Sequence, residues 1–566
     1  MPEFDTVIKG GTIFDGQRTP RFSGDIGIKD GVIASIGGKI HSSSSAKVID
    51  ASGLNVAPGF VDLHTHYDSQ VFWDPWCTIS GWHGVTSVAI GNCGFGFAPC
   101  KPEDQERAML TMSRNEAVPL ESMQEGMPWD WETYPEFLNS LDRTPKGVNI
   151  LSYMPLNPLM AYVMGLEAAK SRPANETEMA EMHRLMKEGL EAGGCGWSAQ
   201  MGENDVQRDY DGTLMITNLM TEGDLLSFAR VLRDVGRGFI QCIGASQDLT
   251  EKLADESGRP VIWNVLAVFT DQHGIAMPGY DQAMKWLDEC NARGTRIFGQ
   301  ALTAENNFQF TFEEWNLFDT SPAWREMTLG TVEERAAKMA NPALRQAIKE
   351  EQSDWSGGGA GVVFDFNDLT VGELHKPELD KYTGWTCGEI AKERGVHVID
   401  AMLDIALEDD MKALFVTAPQ KMDIEAMKNM ATSAFALPGV SDGGAHTKFI
   451  TLGRYPTEYL SLLVRDHEMM DLEEAHWRLS AYPALAAGFR DRGTIREGAP
   501  ADIVVYDYEN LDMGVTEKAY DYPAGAWRLI RKPEGYRHIM VNGEETFVDG
   551  ECTGATSGKL LRHGTA

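Results

Sequence analysis

The sequence predicts an α/β fold, a (β/α)8 TIM barrel joined to a small β-sandwich domain that both chain termini build together. Two observations predict it: the ends share one texture of short strands and tight turns, and the long middle alternates strand-like runs with helices. A third narrows the choice. No G-x-G-x-x-G opens a helix after the first strand and no G-x-x-x-x-G-K-[ST] occurs, so nucleotide-binding layering is the runner-up to a closed barrel.

Residues 1–56 read as strands: DTVIKGGTIFDG, then DIGIKDGVIASIGG, then AKVIDASGLNVAPGF. The spacing of Ile26, Ile28, Val32 and Ile36 predicts half-buried strands. Residues 486–566 repeat the style, with the apolar strand Ile503–Tyr506 and a hairpin turning at Asn542-Gly543. Neither end is long enough for a core of its own, so the two are expected to form one domain with the barrel inserted between them at 57–485. Inside the barrel, VTSVAIGNC precedes the helix EDQERAMLTMSRNEA, and KGVNILSYMPL precedes ETEMAEMHRLMKEGLEAG. GCGWSAQ, GFIQCIG, RPVIWNVLA, TRIFGQAL and FALPGVSDGGAH supply the fourth to eighth strands, with helices between them. A long insertion around 300–385, with several Trp and Phe, is read as a lid or an oligomer contact.

At 566 residues the chain exceeds one ordinary core. Its formal charge of -34 argues against nucleic acid or an anionic membrane as partner, since both would be repelled. No stretch approaches the length of an apolar membrane span. The start MPEFD shows no signal-peptide pattern, so a cytoplasmic location is expected; the partner is expected to be a small-molecule substrate. The eight cysteines form no C-x-x-C pair, which suits reduced thiols, although a Cys93–Cys100 bridge stays open.

The candidate chemistry begins at VDLHTHYD. In a strand, residues two apart share a face, so His64 and His66 can converge at the strand's end. On a barrel, functional groups collect at the C-terminal ends of different strands. Cys93 in GNCGFGFAP and Asp442 in GVSDGGAH stand at two more such ends. Two nitrogens and an oxygen suit a catalytic zinc site, and a thiolate would favour zinc over magnesium or calcium. Each residue also has an ordinary reading: a satisfied histidine, a buried thiol, a capping carboxylate. His446, one turn beyond Asp442 if a helix starts there, and His273 in the loop TDQHG are candidate supporting or substrate-contacting groups. Phe72, Trp73, Trp76, Phe95, Phe97, Trp263, Phe269, Phe308, Phe310 and Trp315 either line an apolar pocket or pack long loops.

VIKGGTIFDG, APGFVDLHTHYD, GVTSVAIGNCGFGFAP, SDGGAH and GTIREGAPADIVVYD span nearly the whole chain. Through them it resembles the amidohydrolase superfamily, in its N-acyl-D-amino-acid deacylase (D-aminoacylase-like) branch. The resemblance implies that His64, His66 and Cys93 ligate metal and that Asp442 both ligates metal and handles the proton. The chain departs from the pattern in strands five and six, which end in metal-binding histidines in such relatives and carry none here. The arginine-containing strand-five segment that grips a substrate carboxylate is also absent. No lysine stands at the end of strand four to be carbamylated. The expectation is a hydrolase of an amide or cyclic amide bond, with one zinc ion favoured and two possible, acting on a hydrophobic N-acyl or aryl substrate. An esterase or lactonase and a non-catalytic binding or scaffold protein are the alternatives, and a homo-oligomer is left open.

Overall fold

The computed structural model describes residues 3–201, 207–270, 273–305, 307–313, 319, 321–352 and 365–564. Eight parallel strands build the barrel: Phe60–Asp62, Val85–Ile90, Asn149–Ser152 continued by Met154–Pro155, Gly196–Gln200, Phe239–Ile243, Val261–Leu266, Ile297–Leu302 and Ala436–Gly439. Six of them pair in sequence from the third to the eighth, and the first three pair among themselves. A bridge between Thr65 and Gly443 joins the first strand's end to the eighth's, and Tyr153 N–H donates to the Ile90 carbonyl at 3.0 Å across the second and third.

The helices form where local chemistry starts and stops them. Glu176–Glu191 opens with a capping box between Asn175 and Glu178, and Glu222–Val235 opens with one between Thr221 and Asp224. Gln247–Ser257 is capped by Ser246 and ends at Gly258 in the left-handed conformation that glycine adopts without strain. The connection from the first to the second strand instead carries short 3-10 turns at Gln70–Phe72 and Ser80–His83. Val398–Glu408, within the excursion between the seventh and eighth strands, is a helix.

Both termini share one nine-stranded sheet. Asn55–Pro58 lies between Phe4–Ile13 and Ile503–Tyr506, so the N-terminal strands pair directly with the C-terminal ones. The hairpin Tyr536–Val541/Glu544–Val548 turns at Asn542 and Gly543, both at positive φ, as a tight two-residue turn requires. Ile26 and Ile28 are buried as the spacing predicts, but Val32 is exposed at the start of the sheet's edge strand. The last residues return to the barrel: Ser557 and Leu560 bridge to Lys146 and Ile150.

Strand parity explains how the barrel interior is layered. Phe239, Ile262, Phe298 and Leu437 belong to one buried cluster with Val61, Ala89 and Leu151, an apolar plug. Two residues further along three of these strands stand Gln241, Asn264 and Gln300, all buried. The same inward face therefore changes from apolar to polar toward the strands' C-terminal ends.

Candidate metal centre and active site

That polar layer is where the charged residues gather. One ligand atom each from His64, His66 and Cys93 falls within 4.8 Å of the others. Cys93 Sγ lies 3.3 Å from His64 Nε2. Asp442 Oδ1 stands 3.1 Å from His64 Nε2 and 3.7 Å from His66 Nε2. Residues far apart in sequence thus meet at the ends of the first, second and eighth strands. All are buried except Asp442, whose side chain keeps 19% of its exposure. A small cavity lined by Tyr67, Ile79, Asp442, Gly444, Thr447 and Ile450 opens beside it.

The backbone is bent to deliver these groups. Cys93 (φ 57°) and Asp442 (φ 45°) both occupy the left-handed region, which side-chain-bearing residues rarely adopt. The neighbouring contacts hold them there. Cys93 N–H donates to Gln241 Oε1 at 2.8 Å, and Gly94 N–H donates to Ser198 Oγ at 3.0 Å. Ser441 Oγ donates to the His64 carbonyl at 3.1 Å and accepts from Gly443 N–H at 3.0 Å.

The two histidines differ in support. His64 Nδ1 is 2.5 Å from Asn264 Oδ1. An amide oxygen only accepts, so Nδ1 carries the proton and Nε2 is left to face Cys93 and Asp442. Burial opposes a charge on His64, yet Cys93 and Asp442 beside it raise its pKa well above the ordinary value. Burial pushes His66 down to about 3. Burial would raise Asp442, but His64, and then His446 and His66, hold it below the usual carboxylate range. Burial raises Cys93. The donor set of two imidazoles, a sulfur and a carboxylate fits a zinc-like ion.

His446 reaches the site by another route than a helical turn. Residues 442–446 form a tight turn in which Ala445 N–H bonds the Asp442 carbonyl at 2.8 Å and His446 has φ 53°. Its Nε2 lies 3.3 Å from Glu116 Oε2. His273 stands exposed in a turn after the sixth strand, outside the buried cluster. Most of the aromatic residues pack on one another: Phe72 on Trp131, Trp73 on Tyr522, Phe97 on Trp129, Trp263 on Trp286, and Phe310 on Phe312 and Phe415. These rings serve packing, whereas Phe95 and Phe269 each line a separate small cavity. Trp315 lies outside the described residues.

Three residues were not anticipated: Glu116, Gln241 and Asn264. Glu116 follows Met109 and Met112 at helical spacing on the buried face of Gln105–Glu116, so an acid on the apolar stripe was the available signal. The amides stand two residues beyond Phe239 and Ile262, polar positions on an otherwise apolar strand face.

A family model described as amidohydrolase family matches residues 47–353 and 384–553. The chain belongs to the amidohydrolase family. It is an enzyme of that family, which hydrolyses C–N bonds other than peptide bonds. This amidohydrolase is 24% identical to the D-aminoacylase of Alcaligenes xylosoxydans xylosoxydans, over 99% of this chain and 97% of that one. It is 26% identical to the N-acyl-D-aspartate deacylase of the same organism, over 99% and 96% of the two chains. Its fold matches the crystal structure of an N-acyl-D-glutamate deacylase from Bordetella bronchiseptica, which holds zinc and a phosphonate inhibitor. The TM-score is 0.66 at 21% identity, covering 99% of this chain and 100% of that one. All eight cysteines are free, and among the described residues no helix is long and apolar enough to cross a membrane.

Proposed function

We propose that this amidohydrolase cleaves the amide or cyclic amide bond of a small molecule with the help of one zinc ion held by His64, His66, Cys93 and Asp442. The convergence of these four side chains from three strand ends carries the reading. Bound zinc would supply a Lewis acid and lower the pKa of a water from about 15.7 to about 7. Asp442, ionised and the most exposed of the four, accepts the proton from the attacking water and returns it to the leaving nitrogen. Asn264 fixes the His64 tautomer, and Gln241 holds the Cys93 loop.

A single ion is favoured because the amides of strands five and six are already used. Asn264 and Gln241 bond to His64 and to the Cys93 backbone, where histidines would be free to hold a second ion. We read the chain as three segments, 1–56, 57–485 and 486–566, with the first and last forming the small β domain. The free thiols support a reducing, cytoplasmic setting.

The test pairs elemental analysis of the purified protein with a substrate panel of N-acyl amino acids, aryl amides, hydantoins, lactones and esters. Near-stoichiometric zinc and turnover of amides or hydantoins are expected. Full activity without metal, or turnover of lactones and esters alone, would overturn the reading.

A further inference from the structure

Glu116 ends the helix Gln105–Glu116 and its side chain is 1% exposed. Its position is costly for a carboxylate: buried, and at the helix terminus where the backbone dipole is negative. Its Oε1 accepts from Gln207 Nε2 at a long 3.3 Å, and its Oε2 has no hydrogen-bond partner. That Oε2 lies 3.8 Å from His66 Nε2 and 3.3 Å from His446 Nε2. The Glu116 backbone is also tied to the site, since its carbonyl accepts from His446 N–H at 2.5 Å.

The distances discriminate between explanations. His66 Nε2 is 3.7 Å from Asp442 Oδ1 and 3.8 Å from Glu116 Oε2, beyond a hydrogen bond in both directions. Two donors that share one cation, each about 2 Å from it, stand roughly 3–4 Å apart. His66 is therefore flanked by two carboxylate oxygens at ligand spacing. Asp62 and Asp68 also bury a carboxylate oxygen without a hydrogen-bond partner, but Glu116 Oε2 is the one set against both His66 and His446.

We propose that Glu116 is a further ligand, supplying a carboxylate oxygen to the cation held by His66 and Asp442, in a chain whose fifth and sixth strands offer amides. The inference rests on the proposed metal site. It extends that site to a helix that follows the second strand, and it gives the buried carboxylate the counter-charge that its burial demands.

Glu116→Gln keeps the shape and removes the charge. In the metal-free protein this substitution removes a buried acid at a helix C-terminus, where its charge is costly, so its melting temperature should equal or exceed that of the parent. Zinc affinity, measured by competition with a chromophoric chelator, should fall at least tenfold, and the rise in melting temperature on adding zinc should shrink. The cobalt(II)-loaded variant should show altered visible bands, since a lost oxygen donor changes the coordination. Zinc affinity within twofold of the parent, with an unchanged cobalt spectrum, would overturn the proposal. Failure of the parent itself to bind zinc would instead overturn the proposed function. Should the amide variant not fold, Glu116→Asp, which draws the oxygens back by one methylene, is read by the same two measurements.

Discussion

Two pairs of buried histidines invite comparison. His64 and His66 sit at the barrel mouth, and His83 and His476 sit where the barrel meets the terminal sheet; all four are essentially inaccessible. The second pair bonds only to neutral groups, and His476 Nδ1 is buried without a hydrogen-bond partner. His83 Nδ1 is 2.6 Å from Thr457 Oγ1, and its Nε2 donates to the Arg531 carbonyl at 2.9 Å. His476 Nε2 is 2.8 Å from the Tyr506 hydroxyl, and its ring lies 4.8 Å from that of Phe14. The mouth pair faces a thiol and two carboxylates instead. Burial alone does not separate a ligand from a packed ring. The chemistry of the opposing atoms does.

The largest effect that this contrast predicts is at Asp442. Asp442→Asn keeps the shape but removes both the charge facing His64 and His66 and the proton acceptor. General acid–base groups contribute roughly 10²–10⁴-fold, so kcat should fall by about 10³-fold or more, measured on the best amide substrate. His83→Asn, a change in the neutral pair, should leave metal content at the parent's level. Equal metal loss in both variants would erase the distinction between the pairs.

Cys93→Ser comes next. It preserves the size and the bond from the Cys93 backbone to Gln241 while replacing a soft donor with a hard one. Zinc affinity should fall by about 10–100-fold with the melting temperature of the metal-free protein little changed. Parent-like affinity would place this sulfur among the packed thiols.

The sequence made one side of the barrel mouth legible and hid the other. His64, His66, Cys93 and Asp442 follow apolar strands at their ends, where residue type and strand parity together mark them. Glu116 sits on a helix, and only the three-dimensional return of that helix over the mouth brings it to His66. Gln241 and Asn264 could be seen as missing histidines but not as supports, because their roles depend on contacts 148 and 200 residues away in the chain. The aromatic loops show the reverse. Their composition suggests a pocket, and tertiary packing turns five of the rings onto other rings while Phe95 and Phe269 line cavities. His446 lies near Asp442 in sequence, but a positive-φ turn, rather than a helix, carries it to Glu116.

Asn264→Ala probes that hidden side. Removing the acceptor frees the His64 tautomer without touching a proposed ligand. Loss of such an outer partner typically costs 10–100-fold in metal affinity or activity, and about tenfold is expected here. The variant should bind zinc more weakly while its stoichiometry at saturation stays the same. A change in stoichiometry would make Asn264 a ligand itself.

The smallest predicted effect concerns the neutral pair and pH. Burial lowers His476 to about 3, against an ordinary value near 6.5 in an unfolded chain. Between these values the unfolded chain holds a proton on this ring that the folded one does not. Stability from this ring is therefore complete above about pH 6.5 and is lost progressively as pH falls toward 3, with a slope of at most about 1.4 kcal/mol per pH unit. His476→Gln removes the titrating group and keeps a side chain able to meet the Tyr506 hydroxyl. Urea midpoints of the metal-free protein at pH 7 and pH 5 should fall less in this variant than in the parent, by an amount equivalent to about 2 kcal/mol. A parent and variant with the same loss between the two pH values would mean that the ring is protonated in the fold. The contrast with His64 would then rest on metal binding alone.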